Sequence, residues 1–286
     1  LRGDHVSRFK SFLKRYLSNR YGVAGLFIFL MMIFLAIFAF QIAPYRAGEM
    51  TGDVLEKPGL KHFFGTDHLG RDVFSRVVFG TRTSLLVGFV AAGLSALIGI
   101  FIGTLSGYYG GIVDEIVSKI IDSFLMIPVF FLILIIVAIF GRNLFYIMLV
   151  IGLTTWPSNA RIMRAQTLSI KERAFVKIAR TNGESTLRIM FSHIIPNGMY
   201  PVVANSALQI GGAILTEAAL SFLGLGDPNV TSWGKMISEG KSYMTFAWWI
   251  IVFPGIFTIL TVIGFSFIGD GLQKALYPAL GEVTEE

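Results

Sequence analysis

Residues 23–43 read VAGLFIFLMMIFLAIFAFQIA, 21 residues in which Gln41 is the single strongly polar side chain. As a helix such a run is about 30 Å long, the thickness of a bilayer's hydrocarbon core. The preceding stretch carries Arg2, Arg8, Lys10, Lys14, Arg15 and Arg20 against one acid, Asp4. That bias puts residues 1–22 on the cytoplasmic side. A secretory leader has a shorter apolar core and a small-residue cleavage site, and neither precedes Pro44, so the segment is expected to stay as a span.

Working outward, five more apolar windows follow, at 84–105, 124–140, 144–160, 200–225 and 247–269. The expectation is an all-α integral membrane protein with six transmembrane helices. Residues 23–286 form its membrane domain, and both termini are cytoplasmic. Composition agrees: 54% of the 286 residues are hydrophobic, 15% are charged, and the mean hydropathy is +0.68. Soluble domains carry roughly a quarter charged residues. The net charge of +6 lies beside apolar spans rather than among polar, aromatic segments, which points to a bilayer partner and away from nucleic acid.

Loop charge tests the topology. In the loop 161–199, Arg161, Arg164, Lys171, Arg173, Lys177, Arg180 and Arg188 face only Glu172 and Glu184, so it is read as cytoplasmic. In the loop 44–83 six basic residues are nearly balanced by Glu49, Asp53, Glu56, Asp67 and Asp72, which suits the outer side. Trp248 and Trp249 open the last window, where an aromatic belt would anchor it.

The cytoplasmic loop has internal order. Ala174, Phe175, Ile178 and Ala179 recur at helical spacing, Asn182-Gly183 breaks the pattern as a left-handed turn would, and Ser185 can cap a second helix. That second helix carries Leu187, Met190, Phe191, Ile194 and Ile195 and ends at Pro196. Two amphipathic helices, 171–181 and 185–195, are thus expected around Gly183. Physics leaves open whether they lie in lipid headgroups or insert into a groove on a partner protein.

In the outer stretch 65–83, Asp67 is a candidate cap, and Val73, Phe74, Val77 and Val78 suggest an interfacial helix. His68 beside Asp67 and Asp72 is a poor metal signal, and no metal site is expected. Gly99, Gly103 and Gly107, four residues apart, let a second helix approach closely. Glu217, with Gln209 and Asn205 nearby, is a carboxylate in an apolar window, where such groups face a cavity or a partner. There is no cysteine, no His-Glu-x-x-His, no Gly-x-Ser-x-Gly and no phosphate loop, so this chain is not read as an enzyme.

The stretches Gly65-Thr-Asp-His-Leu-Gly-Arg-Asp-Val, Gly107-Tyr-Tyr-Gly-Gly, Leu220-Ser-Phe-Leu-Gly-Leu-Gly, Ser232-Trp-Gly-Lys-Met and Gly269-Asp-Gly-Leu with Pro278 resemble one family in order. They are similar to the C-type permease subunits of the oligopeptide/dipeptide/nickel ABC importers, over about residues 10–280. The resemblance implies a type I ABC importer permease fold in a prokaryotic cytoplasmic membrane. Its implied partners are a homologous permease, two ATPase subunits that carry ATP and Mg, and an extracytoplasmic substrate-binding protein; no cofactor is held by this chain. The family's Glu-Ala-Ala signature maps partially, as Lys177-Ile178-Ala179, Gly183 and His193-Ile194-Ile195-Pro196. By resemblance, Glu172, Phe175, Lys177, Ile178, Ala179, Arg180, Gly183, Ile194 and Pro196 couple to the ATPase. Gln209 and Glu217 are pathway or gating candidates, and Asp67, Arg71 and Asp72 are outer-mouth candidates for contact with the binding protein. Peptides are the expected cargo. An ion-coupled carrier working alone is the alternative, and it would be expected to hold more intramembrane charge than Glu217.

Overall fold

The computed structural model describes residues 2–126 and 128–276, with side chains from residue 10 onward. Helix α1 (Arg2–Ser18) leads into α2 (Arg20–Ile37). Asn19 makes the corner, its side chain accepting from the backbone N–H groups of Tyr21 and Gly22. Phe27, Leu30, Phe34 and Ile37 stay exposed along one stripe of α2, and Gly22, Gly25 and Met32 are buried on the other. An apolar stripe left outside is what a lipid-facing helix presents. The expected first span continues as α3 (Ala39–Ile42) beyond a break at Phe38.

Helix α4 (Val73–Tyr109) is 37 residues long. Asp72 caps it, accepting from Ser75 N–H at 2.7 Å. The expected interfacial helix and the span at 84–105 are therefore one element: no glycine pair or proline interrupts Val73 to Ser84, so the helix runs on. Then come α5 (Gly111–Met126) and α6 (Val129–Phe140), which meet at 81° with Pro128 before α6. Helix α7 (Leu144–Lys171) packs along α4. A Cβ on Gly99 would fall 2.4 Å from Asn159 Cβ, and on Gly103 2.4 Å from the Ala160 carbonyl. On Gly107 it would meet the Arg164 carbonyl at 2.8 Å. The glycine stripe thus brings two backbones together, as its spacing suggests.

After a short-helix segment, α8 (Ala174–Thr181), α9 (Thr186–Arg188), a π-turn (Ile189–Ile194) and α10 (Ile195–Gly198), the chain re-enters the bundle as α11 (Tyr200–Phe222). The last elements are α12 (Trp233–Gly240) and α13 (Trp249–Leu276). One core joins Met32, Leu85, Ile210, Ile214, Trp233 and Phe265 from five helices. A second joins Val87, Ala91, Ile133, Ile147, Ile151 and Leu220.

Three helices, α2, α4 and α13, are long and apolar enough to cross a bilayer, and the bent pair α5–α6 makes a fourth if it counts as one span. Helices α7 and α11 have the length, 28 and 23 residues. Their Asn, Gln, Ser and Thr content lowers their apolarity, and Thr154, Asn159, Thr167 and Ser221 among them are buried in the bundle. Among the described residues there is no β-strand, only the isolated bridges Met50–Arg71 and Thr66–Asp72 in the outer loop. Trp249 is buried beneath that loop and donates to the Thr66 carbonyl at 3.0 Å. Trp248 is half exposed. Pro278 lies outside the described residues.

Candidate functional site: a presented helix–turn–helix, a polar seam and an outer lock

Glu172 ends α7, and Arg173 begins α8. Lys177 reaches back to Glu172 at 2.9 Å, and its ammonium holds the Glu172 carboxyl below the usual carboxylate range. Helix α8 then stops by a specific device. Gly183 adopts φ +76°, its N–H bonds the Arg180 carbonyl at 3.1 Å, and Glu184 N–H bonds the Ala179 carbonyl at 3.1 Å. Those two bonds define a Schellman motif with Gly183 at the left-handed position. Ser185 next accepts from Arg188 N–H, and Glu184 turns back to His193 Nε2 at 3.0 Å. The second helix is not the regular 185–195 expected. Six of its residues, Ile189–Ile194, form a π-turn, in which the Ile195 N–H bonds the Met190 carbonyl. A wider turn there gives room for the ring of Pro196, which would crowd a regular helix.

The faces also differ from the expected stripe. Val176 and Ala179 are buried, together with Ile189, Met190 and Ile194, against Met163, Ile170 and Val202. Phe175 (39% exposed), Ile178 (58%), Leu187 (64%) and Phe191 (54%) remain outside. The segment is therefore anchored by one apolar face and presents another. Lys177 and Arg180 flank the presented residues, with Arg180 over the Tyr108 ring.

Inside the bundle, α4, α7 and α11 share a polar seam. Asn159 Nδ2 donates to Ser95 Oγ at 3.0 Å and to Gln209 Oε1 at 2.8 Å; Ser95 Oγ donates to the same oxygen at 3.0 Å. Asn205 Nδ2 donates to Asn159 Oδ1 at 2.8 Å, and Gln209 Nε2 to the Thr155 carbonyl at 3.2 Å. Gln209 thus sits in a closed network whose centre is Asn159, fully buried. Glu217 lies two turns further along α11, buried, and accepts from Ser221 Oγ at 2.6 Å and Ser232 Oγ at 2.8 Å. Since Ser232 caps α12, Glu217 fixes that helix onto α11. A cavity of about 640 Å³ between α7, α11 and α13 is lined by Ile162, Ala165, Pro201, Asp270, Gln273 and Lys274. It reaches neither Gln209 nor Glu217.

At the other end of α4 the loop that precedes it is locked down. Asp67 is fully buried; its Oδ1 accepts from Leu69 and Arg71 N–H groups, and its Oδ2 from Arg71 Nε at 2.7 Å and from Arg76. Glu239, on α12, takes one further nitrogen of each guanidinium, Arg71 Nη2 and Arg76 Nη2, both at 2.8 Å. Burial pushes the Asp67 carboxyl up, but Arg76, the Arg71 backbone and guanidinium, and the Leu69 N–H outweigh it and hold it below the usual range. Asp72, equally buried, holds the α4 cap and His62 Nδ1 at 2.8 Å. So Asp67, Arg71 and Asp72 lie together beneath the loop that precedes α4. His68 has no part in their cluster; it stacks on Tyr243. Sequence reading missed Arg76, Glu239, Ser95 and Asn159, each defined by a partner far away in the chain.

A helical membrane bundle that presents a rigid helix–turn–helix at one end and a locked loop at the other has the parts of a transporter permease subunit. Residues 99–282 match the binding-protein-dependent transport system inner membrane component family, and residues 7–56 the N-terminal TM domain of oligopeptide transport permease C. The dipeptide transport system permease protein DppC of Alkalihalophilus pseudofirmus is 38% identical over 96% of this chain and 91% of its own length. The oligopeptide transport system permease protein OppC of Bacillus subtilis is 39% identical over the same shares. A MetNI methionine ABC transporter chain in an inward-facing conformation superposes with a TM-score of 0.55 at 18% identity, covering 70% of this chain and 96% of that one. An amino acid ABC transporter chain gives 0.51 at 17%, covering 69% and 92%. The chain belongs to the binding-protein-dependent transport system inner membrane component family and has the ABC importer permease fold. It is a multi-pass membrane protein and a permease subunit, and membership favours that reading over the stand-alone ion-coupled carrier.

Proposed function

We propose that this chain lines the translocation pathway of an ATP-driven importer of di- and oligopeptides, paired with a homologous permease and driven by two ATPase subunits. The cargo rests on the relatives, which carry dipeptide and oligopeptide transport in their names. The observation that carries the mechanism is the presented face of α8: Phe175 and Ile178 stand out while Val176 and Ala179 anchor the helix from behind. Exposed aromatic and aliphatic side chains on a short rigid helix suit a groove on a partner protein. In this reading Phe175, Ile178 and Arg180 enter the ATPase groove. Glu172, Lys177, Ala179, Gly183, Ile194 and Pro196 hold the segment in shape; Lys177, engaged by Glu172, acts at the corner with α7.

Six crossings follow if α7 and α11 traverse the bilayer with their polar faces against α4, the Gln209 seam forming part of the pathway wall. Both termini and the α8–α10 segment then share the cytoplasmic side. The outer loop faces the substrate-binding protein, with Asp67, Arg71 and Asp72 shaping that mouth from beneath. ATP-driven closure of the ATPases would push α8 and rock the bundle.

The test is co-purification and uptake. The wild-type chain should carry ATPase subunits in stoichiometric amounts and support ATP-dependent peptide uptake in proteoliposomes. Ile178→Asp with Phe175→Asp should strip the ATPases while the permease pair stays folded. Retention of both ATPases by that double variant would sink the docking assignment. Uptake by the purified chain alone would sink the importer reading.

A further inference from the structure

The loop residue His62 has chemistry that neither the lock nor the transport reading uses. Its ring is 1% exposed. Nδ1 lies 2.8 Å from Asp72 Oδ1, and the other Asp72 oxygen already accepts from Ser75 N–H. An ionised carboxylate only accepts, so Nδ1 carries a proton, and it is Nε2 that is left to meet a further partner. Nε2 is buried and has no hydrogen-bond partner. It points at two carboxylates, Asp53 Oδ2 at 3.5 Å and Glu56 Oε2 at 3.9 Å. In the neutral ring Nε2 presents a lone pair to two anions, an arrangement that a cation shared among the three groups relieves.

The spacing, 3.5 Å to Asp53 and 3.9 Å to Glu56, is nearer that of shared ligands than of hydrogen bonds. A hydrogen bond from Nε2 would close to about 2.7–3.2 Å. Two ligands on one tetrahedral ion, each about 2.0–2.1 Å from it, sit about 3.4 Å apart. Here the three ligand atoms all lie within 4.8 Å of one another. The frame is built as well. Thr66 Oγ accepts from Glu56 N–H at 2.8 Å and donates to the Asp53 carbonyl, so one side chain ties both acidic residues. Leu55, between them, is held at φ +54°, a conformation a leucine adopts only under constraint.

We propose that Asp53, Glu56 and His62 bind one divalent transition-metal ion, Zn2+, as a staple on the outer face. Asp72 is the outer partner that orients the imidazole, a role carboxylates commonly take behind a metal-bound histidine. One imidazole and two carboxylates suit zinc with a water in the fourth position, whereas Mg2+ and Ca2+ prefer oxygen ligands throughout. Because Asp72 also caps α4, the ion ties residues 53–62 to the start of the longest helix. Lys61 stands in competition: its ammonium pairs with Asp53 Oδ2, and its side chain is 60% exposed. An exposed ion pair of that kind is weak, so Lys61 yields to the dication.

The test uses the full chain in nanodiscs, without a histidine tag, titrated with Zn2+ against a chromophoric chelator in millimolar Mg2+. The expected result is one saturable Zn2+ per chain and a higher Tm with zinc than without. Glu56→Gln, at the exposed edge of the cluster, should weaken binding at least about tenfold, and Asp72→Asn about 10–100-fold. Lys61→Ala should tighten it. Absence of a saturable site, a Glu56→Gln variant that titrates like wild type, or weaker binding by Lys61→Ala would overturn the proposal. His62→Gln is a supplementary variant only, since it also unpairs Asp72.

Discussion

Replacing Gly183 by valine isolates the mechanical role of the turn. A side chain at 183 would meet no atom within 4 Å, so the substitution creates no clash and removes no packing. The whole penalty is conformational: at φ +76° an L-residue costs about 1–2 kcal/mol, and a β-branched one lies at the upper end. Two kcal/mol is about a thirtyfold shift in population between the native turn and its competitors. The competitors lack the Glu184-to-Ala179 and Gly183-to-Arg180 bonds, so α8 leaves its fixed angle to the π-turn. Asparagine tolerates this region best after glycine and should cost least, with alanine intermediate. If the turn transmits force, ATP-dependent uptake in proteoliposomes of the complete transporter should fall in the order Gly, Asn, Ala, Val. ATPase subunits should remain bound at saturating concentration, and ATP hydrolysis should lose its coupling to uptake. A valine variant with normal assembly and normal coupled uptake would refute the reasoning. So would an asparagine variant as damaged as valine, because strain could not then be the cause.

Other outcomes follow from the packing. Gly103→Ala places a methyl 2.4 Å from the Ala160 carbonyl, so α4 and α7 must separate; a loss of about 1–3 kcal/mol is expected, read as a lower Tm in detergent. Asn159→Leu removes the donor to Ser95 and Gln209 and should cost about 1–2 kcal/mol by the same measurement, whereas Ser158→Ala, which holds only a 3.5 Å contact from Asn205, should cost little. Asp67→Asn should cost about 3 kcal/mol at pH 7, the low end for breaking a buried pair because Glu239 still holds Arg76. The Asp67 carboxyl is held below its ordinary value in the fold, so its stabilisation is full above the unfolded value near about 4 and is lost as pH falls through the folded one. Melting curves from pH 7 to pH 3 should therefore fall more steeply for wild type than for Asp67→Asn, and parallel curves would count against the assignment.

Local patterns carried well into the structure. Asn182-Gly183-Glu184-Ser185 reads as a stop followed by a cap, because left-handed glycine and serine capping are properties of a few adjacent residues. The four-residue glycine spacing predicted close helix contact for the same reason. Where sequence reading fell short, the deciding partner was remote. Glu239 is 168 residues from Arg71, and Ser95 is 114 from Gln209, so neither the outer lock nor the polar seam has a local signature. The polar residues of α7 and α11 make sense only when Asn159 is seen between two other helices. Arg161 and Arg164 were counted as loop charge, yet they lie on α7 and pair with Asp122 and Asp114 of α5. Val176, which anchors α8, is not part of the expected stripe: it packs with Met163, Ile170 and Val202, while Phe175 and Ile178 stay outside.

Helix α4 contains no proline, whereas α7 and α13 carry Pro157 and Pro254. Its 37 residues make a rod of about 55 Å. Arg76 and the Asp72 cap grip one end, and the Gly107 carbonyl receives Lys171 near the other. A rod of that length converts a tilt of about 10° into an end displacement of about 10 Å. One rigid element with a clamp at each end would link the loop before α4 to the α7 end beside the α8 segment, so a movement at one would be felt at the other.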